Sequence, residues 1–372
     1  MNPIPVNVPV LEGNESKYLQ QAVETGWISS EGPFVREFEN AFALRNGRKH
    51  GIAVSNGTAA LQVAVDALNL ESGDEVIVPT FTIIACVNAV IRAGAKPVLV
   101  DCDPETFNST PEQIQSAITE NTKAIMLVHI YGLPVDVDPI LEIAEKKGIK
   151  IIEDAAEVIG LDYKGRPCGS IGDLSTVSFY PNKHITTGEG GMVLTDDDDL
   201  ATQCRLLRDH CFQSKKRFFH EQIGWNYRMT NLQAAIGLAQ LERLDEFVLM
   251  KRSMGASYTS LLSDCPHLQL PIPRTSYAQN IYWVYGVVLK DEYPKDAESI
   301  MSKMGENKIG TRPFFYPMHK QPIFREMGYF KEDVHPNSEK LAERGFYVPG
   351  GLALTDEEIS RVSETLIGIL EL

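Results

Sequence analysis

Residues 178–191 read Ser178-Phe179-Tyr180-Pro181-Asn182-Lys183-His184-Ile185-Thr186-Thr187-Gly188-Glu189-Gly190-Gly191. An apolar run with strand character, residues 175–179, ends at Pro181, and a second run spans residues 192–195. Proline cannot donate to a sheet ladder and glycines punctuate loops, so the spacing predicts Lys183 in a loop between two strands, where it can point into a cleft. Lysine becomes a nucleophile toward carbonyls when desolvation or a neighbouring cation lowers its pKa, and Phe179, Tyr180 and Ile185 supply part of such a pocket. Taken alone, the loop fits an exposed lysine in a glycine-rich turn better than a reactive one. Three other features change that balance.

The first lies near the start of the chain. Residues 50–55 have strand character, Asn56-Gly57-Thr58 reads as a turn, and residues 59–70 form a helix with Leu61, Ala64, Val65 and Leu68 on one face. A helix start after a short glycine turn presents free N–H groups and the positive end of the dipole, which suits a phosphate, although a plain helix cap fits these three residues equally well. The second feature is an alternation: strands at 75–78, 97–101, 124–129 and 150–153, and helices at 84–93, 111–118 and 139–147. Such alternation predicts an α/β fold with a mostly parallel sheet covered on both faces, whose ligand lies beyond the carboxyl ends of the strands. The third is Asp154, just past such an end within Ile151-Ile152-Glu153-Asp154-Ala155-Ala156-Glu157, placed either to meet a ligand nitrogen or to cap a helix.

The remainder bounds the answer. At 372 residues the chain suits a large domain, residues 1–245, with a small one, residues 246–372. A net charge of −15 argues against a nucleic-acid partner. Cys86, Cys102, Cys168, Cys204, Cys211 and Cys265 show neither a C-x-x-C pair nor zinc-like spacing, so they read as reduced cytosolic thiols with no metal site. Residues 1–10 lack a positively charged start and an apolar core, and no uncharged apolar run approaches membrane-spanning length; the expectation is a cytoplasmic protein without a membrane segment. Asp196–Asp199 lacks the glycine and the distant glutamate of a calcium loop and reads as a helix start. Residues 15–47 carry two helical patterns, and Phe34, Phe38 and Phe42 form one stripe of the second. A basic-aromatic loop, residues 215–220, precedes Gly224-Trp225-Asn226-Tyr227-Arg228-Met229-Thr230-Asn231, and one long helix over residues 232–262 is expected to bridge to the small domain. There a strand at 281–289, a helix at 296–304 and a final helix at 356–370 are expected.

A lysine in a cleft, a carboxylate ending a strand and a phosphate-cradling helix start are the three holds that pyridoxal 5'-phosphate needs. The chain resembles, over essentially its whole length, the sugar aminotransferases of the DegT/DnrJ/EryC1/StrS family, pyridoxal-phosphate enzymes of the aspartate-aminotransferase fold (fold type I). The resemblance rests on Ser178-Phe179, Lys183 and Gly188-Glu189-Gly190-Gly191, on Glu153-Asp154-Ala155-Ala156 and on Asn56-Gly57-Thr58. Within the family, Trp27-Ile28-Ser29-Ser30, Asn182-Lys183 with Thr186-Thr187, and residues 227–231 are most similar to the perosamine-forming branch.

The resemblance implies that Lys183 is the Schiff-base lysine and Asp154 the partner of the pyridine nitrogen. Glu157 would sit near the ring's 3-hydroxyl, and Gly57, Thr58 and Ser178 would hold the phosphate. Asn226 would reach the phosphate of the neighbouring subunit's cofactor, which makes a homodimer the smallest functional unit. Ile83 stands where relatives carry a stacking aromatic. Arg228, Arg312 and His319 are candidates for substrate anions, with at least one of them open to reading as a loop salt bridge. The reaction implied is amino transfer from L-glutamate to a keto sugar of surface-polysaccharide synthesis: a GDP-linked 4-keto-6-deoxy-mannose, or alternatively the keto form of an eight-carbon acid sugar. A dehydratase of the same fold would replace the lysine by histidine, and His184 is adjacent, but the register places Lys183 at the critical position. A non-catalytic regulator would need a DNA-binding domain that the sequence does not offer, and no Gly-x-Gly-x-x-Gly follows an early strand as a dinucleotide site requires.

Overall fold

The computed structural model describes residues 2–213, 216 and 218–371. Lys215 and Arg217 of the basic-aromatic loop lie outside the described residues. Helices α1 (Glu15–Thr25) and α2 (Pro33–Arg45) precede strand β1 (His50–Val54). The alternation then runs α3 (Gly57–Asp66), β2 (Glu75–Pro79), α4 (Ile84–Arg92), β3 (Lys96–Val100), α5 (Pro111–Ala117), β4 (Thr122–Val128), α6 (Val137–Lys147) and β5 (Lys150–Asp154). A two-residue hairpin, β6 (Asp162–Tyr163) and β7 (Arg166–Pro167), leads to β8 (Leu174–Ser178), β9 (Gly191–Thr195), α7 (Asp198–Arg208), α8 (Asn231–Leu241) and α9 (Leu244–Leu262).

The large sheet has seven strands in the order β1-β9-β8-β5-β4-β2-β3. Only β9 runs against its neighbours, β1 and β8, so every other strand ends at the same edge. Its strands are apolar on both faces, as a sheet covered by helices requires. Val76 and Val78 pack into one core with α3 and α4, while the intervening Ile77 packs into the other with α2, α6 and α8.

The C-terminal part builds a four-stranded sheet, order β10-β11-β13-β12, from β10 (Leu268–Gln269), β11 (Tyr285–Leu289), β12 (Arg312–Pro313) and β13 (Gly345–Val348). Helices α10 (Ala297–Glu306), α11 (Pro322–Glu326), α12 (Pro336–Arg344) and α13 (Asp356–Leu370) accompany it. Its core also takes in Ile4, which pairs with Ile309. Along α9, Leu244, Phe247 and Val248 belong to the large domain's core and Met254, Tyr258 and Leu262 to the small one, so this helix joins the two.

Two expectations fail for instructive reasons. The long helix at 232–262 is two helices, because the backbone leaves helical geometry at Arg243 (φ −112°, ψ 8°). There the Glu242 carboxylate accepts from Asn14 and Tyr18, and the Gln240 amide donates to Val10 and Glu15, contacts that no local pattern carries. The strand at 281–289 begins only at Tyr285, since Tyr282 adopts φ +47°, a left-handed conformation outside any strand. That turn aims Trp283 back toward the large sheet, with consequences below.

Glu153 ties the sheet together beneath the site. Its carboxylate receives hydrogen bonds from His129 (3.1 Å), Ser175 (2.7 Å) and the N–H groups of Gly169 (2.6 Å) and Ile171 (2.9 Å). Burial works against this charge, yet His129, Ser175 and Gly169 hold the carboxyl down at about 2. Stability from a depressed carboxyl is present above its unfolded value of 4.5 and is lost as pH falls through about 2. Glu153→Gln is therefore expected to cost about 3 kcal/mol at neutral pH. In denaturant titrations the gap between variant and wild type should close as pH falls through that window, and a gap independent of pH would overturn this account.

Candidate active site

The loop between β8 and β9 is folded onto itself. Phe179 N–H donates to Gly190 O (2.9 Å), Thr187 N–H donates to Phe179 O (3.0 Å), and Lys183 N–H donates to Tyr180 O (2.9 Å). This closure turns the Lys183 side chain inward, where it is 10% exposed, with Nζ 3.9 Å from Glu157 Oε1. On its other side Nζ stands 3.9 Å from the centre of the Trp283 ring. Burial lowers the lysine's affinity for a proton, while Glu157, Asp154 and Cys86 oppose that effect. Lys183 is thus buried in a pocket and is not the exposed lysine of a glycine-rich turn.

Asp154 ends β5, and no helix follows it, so the helix-cap reading fails. Its Oδ1 accepts from Ala156 N–H two residues on (3.1 Å), and Cys86 Sγ approaches Oδ2 at 3.5 Å. Burial pushes its carboxyl up, with the Ala156 N–H and Lys183 pulling the other way. Glu157 accepts from Tyr131 N–H at 2.8 Å, and burial likewise raises its carboxyl, against the pull of Lys183. Both carboxyls and the lysine face one pocket of about 720 Å³, within the range of small-molecule sites.

The opposite wall is the start of α3, whose first residue is Gly57: the expected Asn56-Gly57-Thr58 turn is in fact the helix N-cap and first two positions. Asn56 caps by accepting from Ala59 N–H (2.8 Å), and the N–H groups of Gly57 and Thr58 have no intrahelical acceptor. A Cβ at Gly57 would lie 2.7 Å from Cβ of Ser178, so only glycine lets α3 approach the end of β8 this closely. The residues present fit pyridoxal phosphate: an anion cradle at Gly57, Thr58 and Ser178, a buried carboxyl with no cation bonded to it, and an amine without a hydrogen-bond acceptor among the described residues.

Ile83 lines the pocket as an exposed residue preceding α4, an aliphatic wall where an aromatic was the family expectation. Asn226 does not line it. This residue is exposed and lies beside Asp209, while its neighbour Tyr227 faces the pocket and stacks on Trp225 (5.2 Å, 4°). Arg228 is bound to Asp209 in a salt bridge, as one of the expected readings allowed, and does not line this pocket. Arg312 is exposed beside pocket residue Tyr347 across β12 and β13.

His319 is away from the pocket, which corrects its reading as a substrate ligand. The ring is fully buried, with Nδ1 against Thr80 Oγ1 and Nε2 against Glu339 Oε1, each at 2.8 Å. It fastens the loop before α11 to the end of β2 and to α12, and leaves no nitrogen for a substrate.

Sequence reasoning missed a second wall, Trp283, Phe315 and Tyr347, and the pocket residues Asn182 and Thr82. Trp283 fell inside an expected strand, and nothing local links it to a loop a hundred positions earlier.

The pattern of the DegT/DnrJ/EryC1/StrS aminotransferase family matches residues 9–367. The chain is similar to GDP-perosamine synthase of Caulobacter vibrioides, at 43% identity over 99% of this chain and 98% of that protein. It is similar also to GDP-perosamine synthase of Escherichia coli O157:H7, at 40% identity over 98% of each. Among solved structures, an aminotransferase from Psychrobacter cryohalolentis superposes with a TM-score of 0.91 at 30% identity, covering 100% of this chain and 98% of that one.

The tight approach of α3 to β8 yields a direct test. Gly57→Ala is expected to force Ser178 and the helix start apart and to weaken binding of pyridoxal phosphate at least tenfold, about 1.4 kcal/mol, measured by equilibrium dialysis with melting temperature as the fold control. Unchanged affinity in a folded variant would remove Gly57 from the cradle.

Proposed function

The chain belongs to the DegT/DnrJ/EryC1/StrS aminotransferase family and is a pyridoxal-phosphate-dependent sugar aminotransferase, and from that premise we propose that it moves an amino group from L-glutamate to GDP-4-keto-6-deoxy-mannose. One observation carries the reading: the loop lysine, the strand-end carboxyl and the glycine helix start, far apart in sequence, line one pocket.

In this reading Lys183 would hold the cofactor's aldehyde carbon, Asp154 its ring nitrogen, Glu157 the neighbourhood of its ring hydroxyl, and Gly57, Thr58 and Ser178 its phosphate. Ile83 would cover the ring with an aliphatic surface. When bound, the cofactor supplies the electron sink and carries the amino group between donor and acceptor. The residues do the rest. Lys183, once free, takes a proton at the donor's α-carbon and returns one to the product side, a role suited to an amine whose proton affinity burial has lowered. Asp154 would accept a hydrogen bond from the ring nitrogen and so favour a proton there. Trp283, Phe315 and Tyr347 shield the reacting atoms from water. Arg312, exposed and paired with pocket residue Tyr347 across β12 and β13, is the residue proposed to meet the substrate's diphosphate, whereas Arg228 is committed to Asp209.

The dehydratase reading has less support, because His184 is fully buried with Nε2 directed at Ile281 O (3.3 Å) and does not line the pocket. The names of the similar enzymes favour the GDP-linked sugar over the eight-carbon acid sugar. The proposal extends to a homodimer with shared sites, in which Asn226 meets the other subunit's cofactor phosphate; its exposure outside its own chain's pocket supports this. No helix among the described residues is long and apolar enough to cross a membrane, and the proposed setting is the cytoplasm, on precursors of the O-antigen of lipopolysaccharide.

Incubation with nitrogen-15 L-glutamate and GDP-4-keto-6-deoxy-mannose is expected to give a labelled amino sugar by mass spectrometry, and none with the eight-carbon keto acid sugar; the reverse pattern would overturn the substrate. Borohydride reduction and peptide mapping should leave a pyridoxyl group on Lys183, and a label elsewhere removes that assignment.

Shared sites make a separate prediction. If Lys183→Ala and Asn226→Asp are each nearly inactive, mixed subunits that exchange should recover activity, since one site of the mixed dimer is intact. The aspartate is chosen because its charge repels a phosphate. No recovery would mean that Asn226 does not cross between subunits.

A further inference from the structure

Trp283 is held more firmly than a wall residue needs to be. Its indole N–H donates to Asn182 O (2.8 Å), the carbonyl directly before Lys183. Its own carbonyl accepts from Lys251 Nζ (2.9 Å), a lysine of α9 that is 1% exposed and also donates to Gly350 O. The residue is 5% exposed, and its ring packs against Tyr131 (5.7 Å) and Tyr347 (6.5 Å). These bonds fix the indole face over the Lys183 amine.

We propose that this face is where the Lys183 ammonium rests once the free amine has taken up a proton, so that Trp283 is a positioning residue for the proton transfers of the reaction. The nearest carboxylate oxygen is 3.9 Å away, too far for a hydrogen bond, and a desolvated ammonium over an indole is attracted by the ring's negative face. The attraction acts on the protonated amine only. It therefore favours acceptance of the proton from the donor's α-carbon, against a burial that disfavours the cation.

Other charged and titratable groups near the amine are Glu157, Asp154 and Cys86 from the large domain and Tyr347 from the small one. His184 is the lysine's chain neighbour, and Lys251 lies behind Trp283. The carboxylates favour the ammonium through charge, and Trp283 meets it with the face of its ring.

The inference rests on Lys183 being the reactive amine, which borohydride mapping tests separately. The experiment uses holoenzyme saturated with L-glutamate and no keto sugar, so that the lysine is free. Trace acetylation of Lys183 is followed by mass spectrometry across pH. Losing the π face lowers the proton affinity of the amine, so the midpoint in Trp283→Leu is expected to fall by about one pH unit, a tenfold change, and by less in Trp283→Phe. Should the leucine variant fail to fold, wild-type protein carrying fluorinated tryptophans keeps the shape and weakens the ring's field, and its midpoint is expected to fall with each added fluorine. A midpoint that does not move in either experiment, with Lys183 still the borohydride-labelled residue, overturns the proposal and leaves the proposed function standing.

Discussion

A primary amine that is nine-tenths withdrawn from water loses most of its hydration, and the surroundings of Lys183 take the place of that water. Two carboxyls, Asp154 and Glu157, approach from the large sheet, and the indole of Trp283 approaches from the small domain. None of the three saturates the amine with a hydrogen bond. The charge is compensated at a distance while the nitrogen stays free to form and break a covalent bond, which is the condition a nucleophilic lysine requires. Everything else in the fold can be read as what brings these groups to one place.

The sheet does the first part of that work. Because β9 is inserted antiparallel between β1 and β8, the strands on either side of it run in the same direction. The carboxyl ends of β1, β8 and β5 therefore meet at one edge, and with them the start of α3, Ser178 and Asp154. The approach of α3 to β8 is limited by Cβ contact, and glycine at position 57 removes that limit. A helix start and a strand end are brought together through that one missing side chain, as an anion cradle requires.

The second part belongs to the small domain. Tyr282 in the left-handed region turns the chain so that Trp283 faces the lysine, and Asn280 Oδ1 stabilises the turn by accepting from Tyr282 N–H (2.6 Å). His319, bound at both nitrogens, fastens a neighbouring loop to the end of β2. Trp283 thus closes the pocket with its indole N–H and its carbonyl already bonded, and Lys251 and His319 act as structural ties despite being the kinds of side chain that attract functional readings.

By itself the sequence determined the α/β alternation, the loop position of Lys183, the strand-end position of Asp154 and the glycine before the α3 core stripe. These follow from local physics: hydrophobic period, the missing proline donor and the freedom of glycine act within a few residues. Likeness to a known family then assigned roles that no local pattern carries, and for His319 it assigned one that the structure does not support. Only the tertiary structure decided that Asp154 caps no helix, that the long helix breaks at Arg243, that Arg228 is tied to Asp209 and that Trp283 covers the amine. Each depends on partners tens to hundreds of residues away, or, for Arg228, across the turn after α7. Whether a polar or aromatic side chain braces the fold or serves the site is set by which long-range partner reaches it, and that partner has no representation in the residues on either side.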